Sequence, residues 1–323
     1  MVDNNNLEPI LITGCTGLLG FNFAKKILEK EDRNVYGVAL NDKKDEIVKE
    51  LDQYNNFKYF KIDISLEDFN NLFEEINPAI IYHFAAQSQV LDALSNPLTT
   101  FETNIKGTWN LLESYRKVLP NSKFIFSSSD KVYGETDELP YLESNQLHSI
   151  YPYDVSKISS DLLCQTYKSI YGLDIKIFRS VNIFGPYDLN FHRLIPSILK
   201  DIYDNKNPII RSNGESLREY IYVDQLIEYI ELFSGKGNYE NHYIYNFGSG
   251  NKYKVIDLVN LILKNLNSDL VPDIKNNSQN EISDQYIDFS AFAKDYEVND
   301  YGSSFEEDLD KTIKWYFDYL KKI

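Results

Sequence analysis

Cysteine, basic charge and long apolar runs are what this 323-residue chain has least of, and each shortage removes a class of protein. Two cysteines, Cys15 and Cys164, cannot build a disulfide framework or a multi-cysteine zinc site. No run of about 18 apolar residues is present, so no membrane-spanning helix is expected. The opening MVDNNNLEPILITG has no basic n-region and too short an apolar run for a signal peptide. Together with the few cysteines this fits a cytoplasmic protein. Lys and Arg number 33 against 49 Asp and Glu, a net charge of −16. The chain therefore lacks the basic face that a nucleic-acid or anionic-membrane binder needs. Small anionic ligands stay open, because a local arginine cluster can sit on an acidic protein. No His, Cys, Asp or Glu cluster has ligand spacing, so no metal is expected.

Apolar residues make up 43% and aromatics 14%, enough for a sizeable core. In the first half, short apolar runs alternate with amphipathic stretches. Strands are predicted at Pro9–Thr13, Asn34–Leu40, Phe57–Ile62, Ala79–Phe84, Lys123–Ser127 and Asp174–Arg179. Helices are predicted at Phe21–Glu31, Asp42–Tyr54, Leu66–Glu75, Leu98–Val118 and Tyr153–Tyr171. Repeated strand–helix units with continuous apolar strands imply an α/β fold with a doubly wound parallel sheet. After Arg179 the rhythm breaks. A helix near Pro196–Tyr203, strands Glu219–Val223 and His242–Phe247, and helices Lys254–Asn265 and Phe305–Lys321 follow. The expected division is a dinucleotide-binding domain over 1–180 and a smaller α/β substrate lobe over 181–323. Strands from about 219–247 are expected to return to the first domain.

Gly14, Gly17 and Gly20 stand at three-residue spacing between the first strand and first helix, with Thr16 and Leu18 among them. In a Rossmann-type unit the first glycine allows the tight turn, the second lets backbone approach a pyrophosphate, and the third lets helix pack on strand. The phosphates would lie on the helix N-terminus. A plain glycine-rich turn would show the same triplet, but the strand–turn–helix context favours a dinucleotide. The second strand ends Leu40-Asn41-Asp42, and an acid there would bind the adenosine ribose and select NAD. Asn41 or Asp42 takes that place, and Asp42 fits a helix N-cap as well. Lys43 and Lys44 would instead suit a phosphate. Asp63, followed by Ile64, ends the third strand and suits either the adenine amino group or an N-cap.

Tyr153 and Lys157 are four apart, on one face of a predicted helix. A lysine there stabilises phenolate, which can take a proton from a sugar hydroxyl as hydride leaves. With 25 tyrosines in the chain the spacing alone is weak, and its place after the fifth strand carries the argument. That strand runs into Ser129-Asp130-Lys131. Ser129 would help Tyr153 polarise the hydroxyl. Asp130 and Lys131 are either an acid–base pair at the ligand-binding end of the sheet or a solvated ion pair.

Thr13–Gly20, His83-Phe84-Ala85-Ala86-Gln87, Ser129, and Tyr153 with Lys157 resemble the extended short-chain dehydrogenase/reductases acting on nucleotide sugars. The resemblance continues through Asn104–Thr108, Asn182–Pro186, Arg218–Val223 and Tyr245–Gly250, essentially the whole chain. It implies that Phe84, Ala85, Ala86, Asn104, Tyr153 and Lys157 also hold the cofactor, while His83 is structural. Ser129-Asp130-Lys131 resembles the 4,6-dehydratase pattern, and its lysine resembles CDP-glucose 4,6-dehydratases. The lobe lacks the Trp-containing segment associated with those enzymes.

The implied chemistry makes Lys131 the base at C5 and Asp130 the acid at the departing 6-hydroxyl, giving a 4-keto-6-deoxy sugar. Lys131 would then need burial or a cation such as Lys157 beside it. The nucleotide-diphosphate sugar would be bound by Gln87, Ser88, Asn182, Arg211, Arg218 and Asn251, with Arg193 and Leu194 near the base or diphosphate. Leu98–Val118 and Tyr153–Tyr171 match the helix pair that forms a dimer interface in related proteins, which implies a homodimer. A 4-epimerase with Asp130 and Lys131 as bystanders, and a C4 oxidoreductase or decarboxylase, are the alternatives.

Overall fold

The computed structural model describes residues 7–42, 45–235, 242–277, 282–298 and 302–322, so Lys43 and Lys44 lie outside the described residues. The chain forms two compact units. One takes in the chain up to Val132, Leu147–Arg179 and a segment ending at Ile244; the other begins with Tyr133–Gln146 and resumes at Ser180 and at Tyr245.

In the first unit β1 (Ile10–Thr13), α1 (Leu18–Lys30), β2 (Val35–Ala39), α2 (Glu46–Leu51), β3 (Phe57–Lys61), α3 (Asn70–Ile76) and β4 (Ile80–His83) alternate. Next come α4 (Val90–Ser95), α5 (Pro97–Phe101), a π-helical turn (Glu102–Lys106), α6 (Gly107–Val118), β5 (Lys123–Ser129), a 3₁₀ turn (Asp130–Tyr133), α7 (Pro152–Tyr171) and β6 (Asp174–Ser180). All four residues of β1 are buried, as a strand covered on both faces requires. Helix α1 instead buries one stripe, including Phe23, Ala24 and Ile27. Strand β1 pairs in parallel with both β2 and β4. The sheet therefore grows first one way and then the other from β1, which puts the ligand crevice at the carboxyl ends of β1 and β4.

The predicted helix Leu98–Val118 is divided by the π turn. Asn104 is buried there, and Gly107 lies so close to Ile64 that a Cβ would come within 2.6 Å of its Cδ1. The helix expected from Leu66 starts only at Asn70, because the Phe69 N–H is held by the Ser114 hydroxyl at 3.0 Å. Helix α4 has no counterpart in the sequence reading.

The second unit holds β7 (Asn182–Phe184), α8 (Leu194–Tyr203), β8 (Ile209–Ile210), β9 (Leu217–Tyr222) and α9 (Val223–Ser234). After β10 (Ile244–Phe247) come β11 (Lys252–Lys254), α10 (Val255–Asn265), β12 (Asp273–Ile274), α11 (Ser290–Asp295) and α12 (Phe305–Leu320). Strand β10 takes the edge of the seven-stranded sheet, whose order is β10-β6-β5-β4-β1-β2-β3. Strand β9, also expected to return to that sheet, instead lies at the centre of a three-stranded sheet between β7 and β11. Its Glu219 explains this. The carboxylate is wholly buried and accepts N–H groups from Ser249 and Gly250 at 2.8 Å and from Ile287 at 3.0 Å, tying β9 to its own unit.

His83 closes β4 as a relay. Thr108 donates its hydroxyl to the Asn104 carbonyl, so it accepts from His83 Nε2 at 3.0 Å. Nδ1 is then unprotonated and accepts from the Thr13 hydroxyl at 2.7 Å. Burial, with a smaller push from the Lys157 charge, lowers the imidazole to about 3. Its contribution to stability is complete above its ordinary value of 6.5 and is lost as pH falls through the window down to about 3. Wild type is expected to exceed His83→Gln in stability at neutral pH. Urea titrations at a series of pH values should show that gap narrowing by about 1 kcal/mol per unit below this window's upper edge. A constant gap would contradict a neutral buried His83.

Candidate active site

The glycine turn is a cradle with one open side. Gly14 has φ +72°, and a Cβ on it would lie 2.7 Å from the Ala85 Cα. A Cβ on Gly20 would lie 2.1 Å from the Gly14 carbonyl oxygen. Gly17 differs: it is exposed, and a Cβ there would meet nothing nearer than 3.5 Å. Gly17 is also the N-cap of α1, with no side-chain cap and no acidic residue in the first turn. The helix N–H groups and dipole are thus left for an anion, which fits a dinucleotide pyrophosphate.

The residues around the cradle divide by function. The Thr16 hydroxyl donates to Asn41 Oδ1 at 2.7 Å, and Asn41 Nδ2 donates to Asp45 at 2.9 Å. Asn41 therefore stands against the glycine turn. Asp42 is exposed, 3.5 Å from Lys61, and the N-cap of α2 is Asp45 rather than Asp42. Asp63 accepts from the Ser65 N–H and hydroxyl at 2.9 and 2.7 Å, turning the chain after β3. Leu18 and Ile64 are buried packing residues. After β4, the Ala85 N–H reaches the Thr13 hydroxyl at 3.3 Å, and Phe84 packs its ring on Phe23 and Phe178. Ala86 and Ser88 are half-buried in the same loop. Asn104 orders that loop: it accepts the Gln87 N–H at 2.8 Å and donates to the Gln87 carbonyl and the Ser156 hydroxyl. The Gln87 amide folds back on Gln89.

At the end of β5 the structure brings Ser129, Asp130 and Lys131 together. The Ser129 hydroxyl donates to Asp130 Oδ1 at 3.1 Å and accepts the Lys131 N–H at 3.3 Å. The Asp130 side chain is 2% exposed, its Oδ2 has no hydrogen-bond partner among the described residues, and Lys131 Nζ lies 3.7 Å from it. The charge of Lys131 also acts on the buried Asp154 carboxyl. Lys157 donates to the Ser127 carbonyl and lies over the Phe126 ring at 4.5 Å. Burial pulls its ammonium down to about 8, opposed by the charge of Asp161. Tyr153 precedes Lys157 by one turn of α7.

Sequence reasoning missed what holds α7. Asp161, one turn beyond Lys157, is wholly buried and pairs with Arg179 of β6 through two bonds of 3.0 and 3.1 Å. It also accepts the Ser128 hydroxyl of β5 at 2.7 Å. An arginine ending the apolar run DIKIF and an acid four residues after Lys157 were the available signals. Asp154 was missed as well. It is buried, takes the Ser149 hydroxyl at 2.8 Å, and is pushed by burial up to about 6.

In the second unit, Asn182 donates to the Glu219 carbonyl at 3.0 Å. Arg193, the N-cap of α8 just before Leu194, pairs with Asp188 at 3.2 Å. Arg211 is exposed. Arg218 is buried, with its guanidinium donating to the carbonyls of Leu217, Ser283 and Ile282 at 2.9, 2.7 and 2.6 Å. Asn251 lines a cavity of about 440 Å³ with Ser249, Gln225, Phe184 and Ser304.

This arrangement can be set beside known proteins. A trifunctional UDP-glucose 4,6-dehydratase/UDP-4-keto-6-deoxy-D-glucose 3,5-epimerase/UDP-4-keto-L-rhamnose-reductase of Arabidopsis thaliana is 32% identical over 324 residues, covering 96% of this chain and 47% of that protein. The chain thus spans about half the length of that relative. The UDP-glucose 4-epimerase of Thermotoga maritima superposes with a TM-score of 0.88 at 26% identity, covering 97% of this chain and 99% of that one. The dTDP-glucose 4,6-dehydratase of Streptomyces venezuelae, solved with NAD bound, gives 0.87 at 25%, covering 97% and 98%. These relatives are named for UDP and dTDP rather than CDP. A family model described as GDP-mannose 4,6 dehydratase matches residues 11–314, from the first buried strand into the last helix, and the chain belongs to that family.

Proposed function

We propose that the chain is an NAD-dependent nucleotide-sugar 4,6-dehydratase, converting an NDP-hexose to the NDP-4-keto-6-deoxyhexose with loss of water. The observation that carries this reading is the buried Asp130 with Lys131 beside it, directly after Ser129 at the carboxyl end of β5. An epimerase needs no acid–base pair beyond the tyrosine, whereas elimination needs one group to take a proton and another to give one.

The residues fit NAD, which would be held with its pyrophosphate at the open side of Gly17, its ribose at Asn41 and Asp42, and its adenine end at Asp63. When bound, NAD supplies a hydride acceptor that is regenerated within one turnover. Tyr153 takes the 4-hydroxyl proton, with the Lys157 ammonium supporting the phenolate. Once C4 is a ketone, the C5 proton is acidified. Lys131 removes that proton, a C5–C6 double bond forms, the C6–O bond breaks, and Asp130 protonates the departing oxygen as water; the hydride taken from C4 would then return to C6 while Lys131 gives a proton back to C5. Gln87, Ser88, Asn182, Arg193, Leu194, Arg211, Arg218 and Asn251 are the proposed substrate-facing set, with Arg211 the exposed cation for the diphosphate. The two buried free cysteines fit a reducing, cytoplasmic setting.

A homodimer is part of the same reading. Leu98 and Trp109 on α5 and α6, and Leu162 and Ile170 on α7, are 64%, 44%, 49% and 71% exposed. Apolar side chains concentrated on these helices suit burial against a second copy.

Incubated with NAD and CDP-, GDP-, UDP- or dTDP-glucose in deuterated water, the protein should convert one substrate to a product lighter by one water and deuterated at C5, read by mass spectrometry and NMR. Tyr153→Phe should lower turnover by about 10²–10⁴-fold, and Lys131→Met should lower C5 exchange by a similar factor. A product of unchanged mass with inverted C4 would make the chain an epimerase and leave Asp130 and Lys131 without their roles. In light scattering, wild type should weigh twice the chain mass and a Leu98→Asp/Leu162→Asp variant once. A monomeric wild type would remove the dimer.

A further inference from the structure

A dinucleotide carrying a 2′-phosphate is told from one without it at the adenosine ribose. The usual discriminator is an acidic side chain just past the second strand. In this chain an amide holds that place. Asn41, two residues past β2, stands against the glycine turn through the Thr16 hydroxyl, which donates to its Oδ1 at 2.7 Å. An amide has no charge to set against a phosphate, and its N–H groups would serve a phosphate as readily as a ribose hydroxyl. Asp42, the next residue, is exposed with Lys61 at 3.5 Å, so its charge is partly answered and open to screening.

We propose that Asp45 determines the choice of NAD: its carboxylate, one hydrogen bond behind Asn41, supplies the negative charge that the end of β2 lacks and so turns away a dinucleotide with a 2′-phosphate. The inference rests on the NAD-dependent reading above. Asp45 is the N-cap of α2, where an aspartate ordinarily accepts an N–H of the first helical turn. Its side chain makes no such bond. The helix start is closed through the backbone instead, by the Val48 and Lys49 N–H groups on the Asp45 carbonyl at 3.1 and 3.0 Å. The carboxylate turns to Asn41 and accepts a hydrogen from Nδ2 at 2.9 Å. A carboxylate can only accept, so this bond fixes which way round the amide stands, with Nδ2 toward Asp45 and Oδ1 toward Thr16. The Asn41 backbone is held as well, by the Tyr59 hydroxyl of β3 on its carbonyl at 2.7 Å. Nδ2 carries a second hydrogen, which a ribose hydroxyl can take. A phosphate taking it would share one amide nitrogen with a carboxylate, and that like-charge penalty falls on NADP alone.

The test measures binding rather than turnover, on the full chain freed of bound dinucleotide. Calorimetric titrations with NAD and NADP, and with ADP-ribose and its 2′-phosphate, give the preference as a ratio of dissociation constants. Wild type should favour NAD by roughly 100-fold. Asp45→Asn removes the charge and leaves an amide oxygen that can still accept from Asn41. It should reduce the ratio by at least about 10-fold, chiefly through tighter NADP binding, and the two fragments should show the same change. In wild type the gap should narrow as salt rises from about 0.1 to about 1 M, since it is a charge repulsion. That series carries the test if Asp45→Asn does not fold, and a gap indifferent to salt would then overturn the proposal. A merely structural Asp45 would weaken both dinucleotides alike and leave the ratio in place, which also overturns it. So would Asp42→Asn relaxing the ratio more than Asp45→Asn does. A wild type that binds NADP as tightly as NAD overturns this inference and leaves the NAD-dependent reading standing, whereas one that binds neither overturns both.

Discussion

The ion pair between Asp161 and Arg179 is the constraint from which the candidate site is built. Arg179 is 2% exposed and Asp161 fully buried, and both carboxylate oxygens receive guanidinium hydrogens. Removing one partner of such a pair strands a buried charge, at a cost of about 3–5 kcal/mol. The pair locks α7 to β6, and the Ser128 hydroxyl on the same carboxylate locks it to β5. Lys157 and Tyr153 stand one and two helical turns before Asp161. Their height over the end of β5 is therefore fixed by a contact in the core rather than by anything at the site. The Ser127 carbonyl then completes the register by taking the Lys157 ammonium.

Desolvation does most of the electrostatic work in a chain of net charge −16. Burial lowers Lys157 to about 8, so its charge is held by Asp161 rather than by water. That makes Lys157 more sensitive to its surroundings than a surface lysine. The same burial keeps His83 neutral, and neutrality is what its relay needs. A charged imidazole would put a hydrogen on Nδ1 and break the acceptor contact with Thr13. The relay runs from the Ala85 N–H through Thr13, His83 and Thr108 to the Asn104 carbonyl. It connects β1, β4 and the π turn, the three pieces that frame the cofactor cradle.

The parallel sheet, the glycine cradle and the Tyr153–Lys157 pair were legible because each is local. Strands buried on both faces show as continuous apolar runs, and a helix pair shows at fixed spacing. Asp161 with Arg179, and Asp154 with Ser149, were not legible as partners, because a hydrogen bond between distant or non-periodic positions leaves no pattern. The π turn escaped for a related reason. Its cause is the packing of Gly107 on Ile64 and the engagement of Asn104 by the β4 loop, both contacts between separate segments. Helix α9 was missed although Leu226, Ile227, Ile230 and Phe233 have helical spacing, because the strand just before it drew the apolar run into itself.

The residues expected to carry the acid–base chemistry and those expected at the diphosphate fall in different units. Asp130, Lys131, Tyr153 and Lys157 all belong to the first unit, while the arginines expected at the diphosphate belong to the second. Arg218 was read as a diphosphate donor, yet its guanidinium is bonded to the carbonyls of Ile282 and Ser283. Next to it, Glu219 binds the backbone of Ser249, Gly250 and Ile287. Arg218 and Glu219 together gather two loop segments, 249–250 and 282–287, onto β9.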